Sequence, residues 1–178
     1  MRRFMTAALA TAALALPAPD TASAQGAGDT TAAPVAGLVE QFDDWQVSCT
    51  SGPQVICTMA QDVRARGSDD RLISARVDLE SAQGLRLTLI TPLGIDLEAP
   101  LALYPGLTDD LFATASLRVC QPVGCYGFVF PDDAALEQLS EFVALRVIMT
   151  PFNGAPAEVP LSLRGFDAAL ERLRALQG

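Results

Sequence analysis

Along most of this chain apolar and polar residues alternate one by one in short runs, and nothing else narrows the fold as much. In "RLISARVDL", Ile73, Ala75, Val77 and Leu79 fall on one side, with Ser74, Arg76 and Asp78 on the other. That is the period of a strand with one buried and one wet face. "GLRLTLIT" repeats it with Leu85, Leu87 and Leu89, and "ATASLRVC" sets Ala115, Leu117 and Val119 opposite Ser116 and Arg118. "VALRVIMT" offers Val143, Leu145, Val147 and Met149, and "EVPLSLR" offers Val159, Leu161 and Leu163. Turn-forming stretches separate the runs: "SGP" at 51–53, "RGSDD" at 66–70, "TPLG" at 91–94, "YPG" at 104–106 and "FNGAP" at 152–156. Short strands at roughly ten-residue spacing predict an all-β, antiparallel sandwich or barrel-like domain.

Two segments carry helical spacing instead. "PDDAALEQLSEF" places Asp at an N-cap after Pro131, with Leu136 and Leu139 on one face. "FDAALERLRAL" aligns Leu170, Leu173 and Leu176 in one stripe and ends with Arg172 and Arg174, which complement the helix dipole. One or two short helices, one of them C-terminal, are expected beside the strands.

The N-terminus reads as an export signal. Arg2 and Arg3 precede the apolar run "FMTAALATAALALPA", and Ala22-Ser23-Ala24 gives the small-x-small pattern of a cleavage site. Pro17, Pro19 and Asp20 interrupt the run before it reaches the ~20 residues of a membrane span. Residues 1–24 are therefore expected to be a signal peptide and 25–40 a flexible leader rich in Ala, Gly, Thr and Pro. Residues 41–178 are expected to form a single β-rich domain. The expected location is the periplasm, or the cell surface and medium after further export.

The full chain carries a net charge of −9, with no His, and every basic residue is Arg. That balance argues against nucleic acid, whose binding needs a basic footprint, and against adsorption to anionic lipid. Without His or Lys, most nucleophile–base pairs, imidazole metal sites and Schiff bases are unavailable. The aspartate doublets Asp43-Asp44, Asp69-Asp70, Asp109-Asp110 and Asp132-Asp133 suit turns and helix caps. Adjacent strand residues point to opposite faces, so a doublet does not supply a hydrolase's facing pair. No catalytic residue, metal ligand or cofactor is expected.

Four cysteines in an exported chain predict disulfides, with three connectivities open. Local pairing of Cys49 with Cys57 and of Cys120 with Cys125 suits the intervening "TSGPQVI" and "QPVG", which permit sharp reversal. The rival role, a thiol–disulfide redox protein or sensor using Cys120 and Cys125, meets the wrong spacing. Catalytic dithiols stand two residues apart at a helix N-terminus. Trp45, the only Trp, shares a strand face with Cys49 and is expected to pack over the first bridge inside the core.

Taken together, "DWQVSC", Cys57 with "MAQ" just after it, "TPLG", "CQPVGC" and "LSLRGFDAAL" make the chain resemble the invasion-associated locus B family of exported bacterial proteins. The resemblance runs from Phe42 to Arg174. It implies a small periplasmic or surface-associated β-rich protein with no established enzymatic activity, named for host-cell invasion by pathogenic members. It carries over Cys49, Cys57, Cys120 and Cys125 as bridge residues and Trp45 as a core position, and it offers no catalytic residues. The resulting expectation is a non-enzymatic module that acts on a protein partner of the envelope or surface.

Overall fold

The computed structural model describes residues 36–80 and 84–177; the expected signal peptide and most of the leader lie outside these. Eleven strands and two helices run in the order β1 (Val39–Phe42), β2 (Trp45–Cys49), β3 (Cys57–Arg64), β4 (Arg71–Glu80), β5 (Gly84–Thr91), β6 (Leu101–Pro105), β7 (Ala113–Ala115), β8 (Leu117–Gln121), β9 (Gly124–Val129), α1 (Asp133–Leu139), β10 (Ala144–Met149), β11 (Ala157–Ser162) and α2 (Phe166–Gln177). Seven strands form one sheet in the order β1-β2-β3-β4-β5-β9-β8, and four form a second in the order β11-β10-β6-β7. Every pairing is antiparallel. Both sheets are open, so the sandwich-like alternative is realised and a closed barrel is not.

The alternation in the sequence becomes the inner face of the large sheet. Trp45, Val47, Met59, Ile73, Ala75, Val77, Leu85, Leu87 and Leu89 are buried there. The small sheet answers with Leu101, Leu103, Leu145, Val147, Met149, Val159 and Leu161. β11 lies against β3 and β4, β7 against β9, and α2 against β1 to β4, so one core is shared by both sheets and the helix. The α2 stripe contributes Phe166, Ala169, Leu170, Leu173 and Leu176. Burying a leucine of this kind stabilises by about 1.5–3 kcal/mol relative to leaving it in water. Asp132 caps α1, its carboxylate accepting the Ala135 N–H at 2.8 Å. Pro160 sits within β11, which is an edge strand, where a missing N–H costs no ladder bond.

Four expectations need correction. Val39 and Glu40, read as the end of the leader, belong to β1 and pair with Ser48 and Val47; Ala, Gly and Pro upstream hid a strand of only four residues. "ATASLRVC" is not one strand. The chain leaves the small sheet at Ala115 and enters the large one at Leu117, with a register irregularity between Leu117 and Val119. Val119 consequently stands 47 % exposed. Val143 precedes β10 and is exposed, because the strand begins only at Ala144. Ser74 points to the outer face yet is buried, with its hydroxyl donating to the Asp62 carboxylate.

Candidate functional site

The four cysteines and Trp45 each have a definite place. Cys49 is bonded to Cys57 and Cys120 to Cys125, and each pair sits directly opposed on adjacent strands, β2–β3 and β8–β9. Cys49, Cys57 and Cys125 are buried, whereas Cys120 is exposed. Trp45 is fully buried. Its indole N–H donates to the Ser162 carbonyl at 2.9 Å, and its ring meets Phe166 edge-on, 5.1 Å between centroids. No face of that ring is open to a ligand.

Around Trp45 a polar cluster ties the β1–β2 turn to the end of β11. The buried Gln61 side chain donates to the carbonyls of Asp44 and Ser162, at 3.0 and 3.3 Å, and accepts the Ser162 N–H at 2.9 Å. The Asp44 carboxylate accepts from the Ser162 hydroxyl at 2.7 Å and from Arg164 at 2.9 and 3.1 Å. Those bonds, the Ser162 hydroxyl first and Arg164 second, hold the Asp44 carboxyl below the ordinary carboxylate range. Glu40 is lowered in the same direction by its hydrogen bond from Arg172 of α2, at 2.6 Å. The cluster satisfies its own donors and acceptors, so it fixes the helix and the small sheet on the large sheet.

The outer face of the large sheet is different. No element covers it among the described residues, and the residues alternate with those of the core. They are Ser48 on β2, Thr58 and Ala60 on β3, Ser74, Arg76 and Asp78 on β4, Arg86, Thr88 and Ile90 on β5, and Tyr126 and Phe128 on β9. A depression of about 610 Å³ lies over Thr58, Asp78, Arg86, Thr88, Tyr126 and Phe128. A second, of about 480 Å³, lies over Gln41, Gln46, Asp62, Arg71 and Ser74. Ser48, Arg76 and Ile90 line both, which makes one trough across the strands. Arg86 is pinned by Glu80 and by Asp78, the latter at 3.2 Å, and lies 5.9 Å from the Phe128 ring centroid. Arg76, by contrast, ion-pairs with no carboxylate among the described residues.

One edge of the same sheet is β8. It pairs with β9 alone, and Arg118, Val119, Cys120 and Gln121 are all exposed. Cys120 and Cys125 have their Cα atoms 3.9 Å apart, the close approach of a non-hydrogen-bonded pair. The Cys120 N–H and C=O therefore point away from β9, toward the open side. Val123 at the hairpin tip is 56 % exposed, and its carbonyl accepts from Arg71 of β4. Among the described residues no cluster of His, Cys, Asp and Glu is arranged as metal ligands, and no helix is long and apolar enough to cross a membrane.

With this geometry in place, comparison with known proteins is specific. The model of the Invasion associated locus B (IalB) protein family matches residues 45–174. The chain belongs to that family. An invasion protein B homolog of Brucella abortus (strain 2308) is 28 % identical over 141 residues, covering 78 % of this chain and 80 % of the relative. A homolog from Brucella abortus biovar 1 (strain 9-941) gives the same identity and coverage. The crystal structure of invasion associated protein B from Bartonella henselae superposes with a TM-score of 0.70 at 26 % identity, covering 79 % of this chain and 98 % of that one. The IalB match opens at Trp45 and closes at Arg174 on α2, so it contains both bridges and the lining of the trough apart from Gln41 and Asp44. Sequence reading missed the trough and the β8 edge. The outward residues of "RLISARVDL" and "GLRLTLIT" were visible as a wet face, but not that β9 brings Tyr126 and Phe128 beside them.

Proposed function

We propose that this IalB-family protein is a non-enzymatic, exported envelope protein that works as a protein-interaction module through the β8 edge. The observation that carries the reading is an edge strand left unpaired on one side, with backbone donors and acceptors facing out and Val119 and Val123 exposed beside them. Such an edge accepts an extended segment of another chain, main-chain bonds supplying affinity and neighbouring side chains supplying selectivity. The signal-like N-terminus and the two bridges support a site of action outside the cytoplasm. A photo-crosslinking residue placed at Val119, with a second at Arg66 in the β3–β4 turn as control, tests this in the native envelope. One dominant envelope or surface protein captured from position 119 and not from 66 is expected. Capture of nothing, of this chain alone, or of the same proteins from both positions would refute it.

Exposure of Cys120 favours one alternative, a periplasmic thiol–disulfide redox protein or sensor using Cys120 and Cys125. Survival of both bridges in a glutathione buffer at periplasmic poise would end that alternative.

A further inference from the structure

We propose that the trough on the outer face of the seven-stranded sheet binds a saccharide chain bearing carboxylates. The argument starts from what the trough offers. The strands that floor it, β2, β3, β4, β5 and β9, are flanked on both sides by ladder partners, so across them no backbone donor or acceptor is left for an extended peptide, and a ligand here is read by side chains. Those side chains are hydroxyls and an amide (Ser48, Thr58, Gln46) beside an apolar strip of Ile90, Tyr126 and Phe128. Polyhydroxylated rings need that combination, with hydroxyls to bond at their edges and a flat apolar surface for their C–H faces. β2, β3, β4, β5 and β9 are successive neighbours, so the trough crosses about 19 Å at ~4.8 Å per strand. That is the reach of a short oligosaccharide and not of a single small anion.

Arg76 supplies the charge preference. Arg86 and Asp78 neutralise each other within the trough, whereas Arg76 is exposed at the junction of the two depressions and ion-pairs with no carboxylate among the described residues. A guanidinium so placed pairs bidentately with a carboxylate. Nucleic acid is disfavoured, because a chain of net charge −9 lacks the basic footprint that phosphate-backbone binding requires.

The test titrates the protein purified from the envelope with tetragalacturonate and, separately, with neutral cellotetraose, followed by amide chemical shifts. Saturable binding of tetragalacturonate is expected, with shifts confined to β2, β3, β4, β5 and β9, and binding at least tenfold weaker for cellotetraose. Arg76→Ala is expected to weaken tetragalacturonate at least tenfold, with Arg76→Lys restoring part of the loss. Because Arg76 is exposed and takes part in no ion pair among the described residues, both variants are expected to retain the fold, checked by an unchanged spectrum of the α2 amides. No saturable binding, equal affinity for the two tetrasaccharides, or indifference to Arg76→Ala would each overturn the proposal. None of these outcomes touches the β8 edge.

Discussion

The junction between β11 and α2 gives a sharp test of how the helix is held. Gly165 has φ +79°, and a Cβ built on it would lie 2.1 Å from the carbonyl oxygen of Phe42 and 2.6 Å from its carbon. Gly67, in the β3–β4 turn, has nearly the same φ, +78°, but nothing within 4 Å of its Cβ position. Replacing each by Ala therefore imposes one shared cost and one private cost. The shared cost is the left-handed conformation, about 1–2 kcal/mol for a residue with a Cβ. The private cost at Gly165 is steric, against backbone that no side-chain rotation can clear. Relieving it moves the β1–β2 turn away from the start of α2, and that turn carries the Asp44 bonds to Ser162 and Arg164. A hydrogen bond to a charged group contributes about 1.5–3 kcal/mol. Gly165→Ala is thus expected to cost about 2.5–5 kcal/mol against about 1–2 for Gly67→Ala. The assay is equilibrium unfolding in urea with both bridges intact, comparing midpoints at constant m-value. Equal losses in the two variants, within about 0.5 kcal/mol, would refute the close-approach argument.

Two further outcomes follow from the same geometry. Asp44 has its folded-state pKa held below the unfolded value by Ser162 and Arg164, so its contribution is complete above the ordinary carboxylate range and is lost as pH falls through the folded value. The gap in Tm between the wild type and Asp44→Asn is accordingly expected to stay constant from about pH 7 to 5 and to shrink below about pH 4; a gap unchanged in acid would show that the charge contributes nothing. Under graded dithiothreitol the Cys120–Cys125 bridge, exposed at Cys120, is expected to open before the buried Cys49–Cys57 bridge, as read by thiol labelling and peptide mass. Each closes a loop so short that chain entropy assigns it only about 2–2.6 kcal/mol, so loss of the Cys120–Cys125 bridge is expected to lower stability without unfolding the domain.

What the sequence reveals about this protein, and what it conceals, divides along a physical line. Strands that stay within one sheet keep a strict period of two, and so Ile73, Ala75, Val77, Leu85, Leu87 and Leu89 were assignable to the core from alternation alone. The helices were assignable because a cap and a leucine stripe are local signals, as at Asp132 and at Leu170, Leu173 and Leu176. The misreading that matters most for the surface lies where the chain changes sheet. Around Ser116 the alternation runs on unbroken while the strand it describes passes from one sheet edge to the other. Period-2 patterning says which side chains share a face of one strand and nothing about which sheet owns the strand. Both candidate surfaces depend on that missing information. The trough exists because β9, distant in sequence, pairs with β5 and sets Tyr126 and Phe128 beside Ile90 and Thr88. The free edge exists because β8, arriving from the small sheet, ends the order of the large one. In this fold the residues that build the core are written locally, whereas the surfaces offered to other molecules are products of strand order.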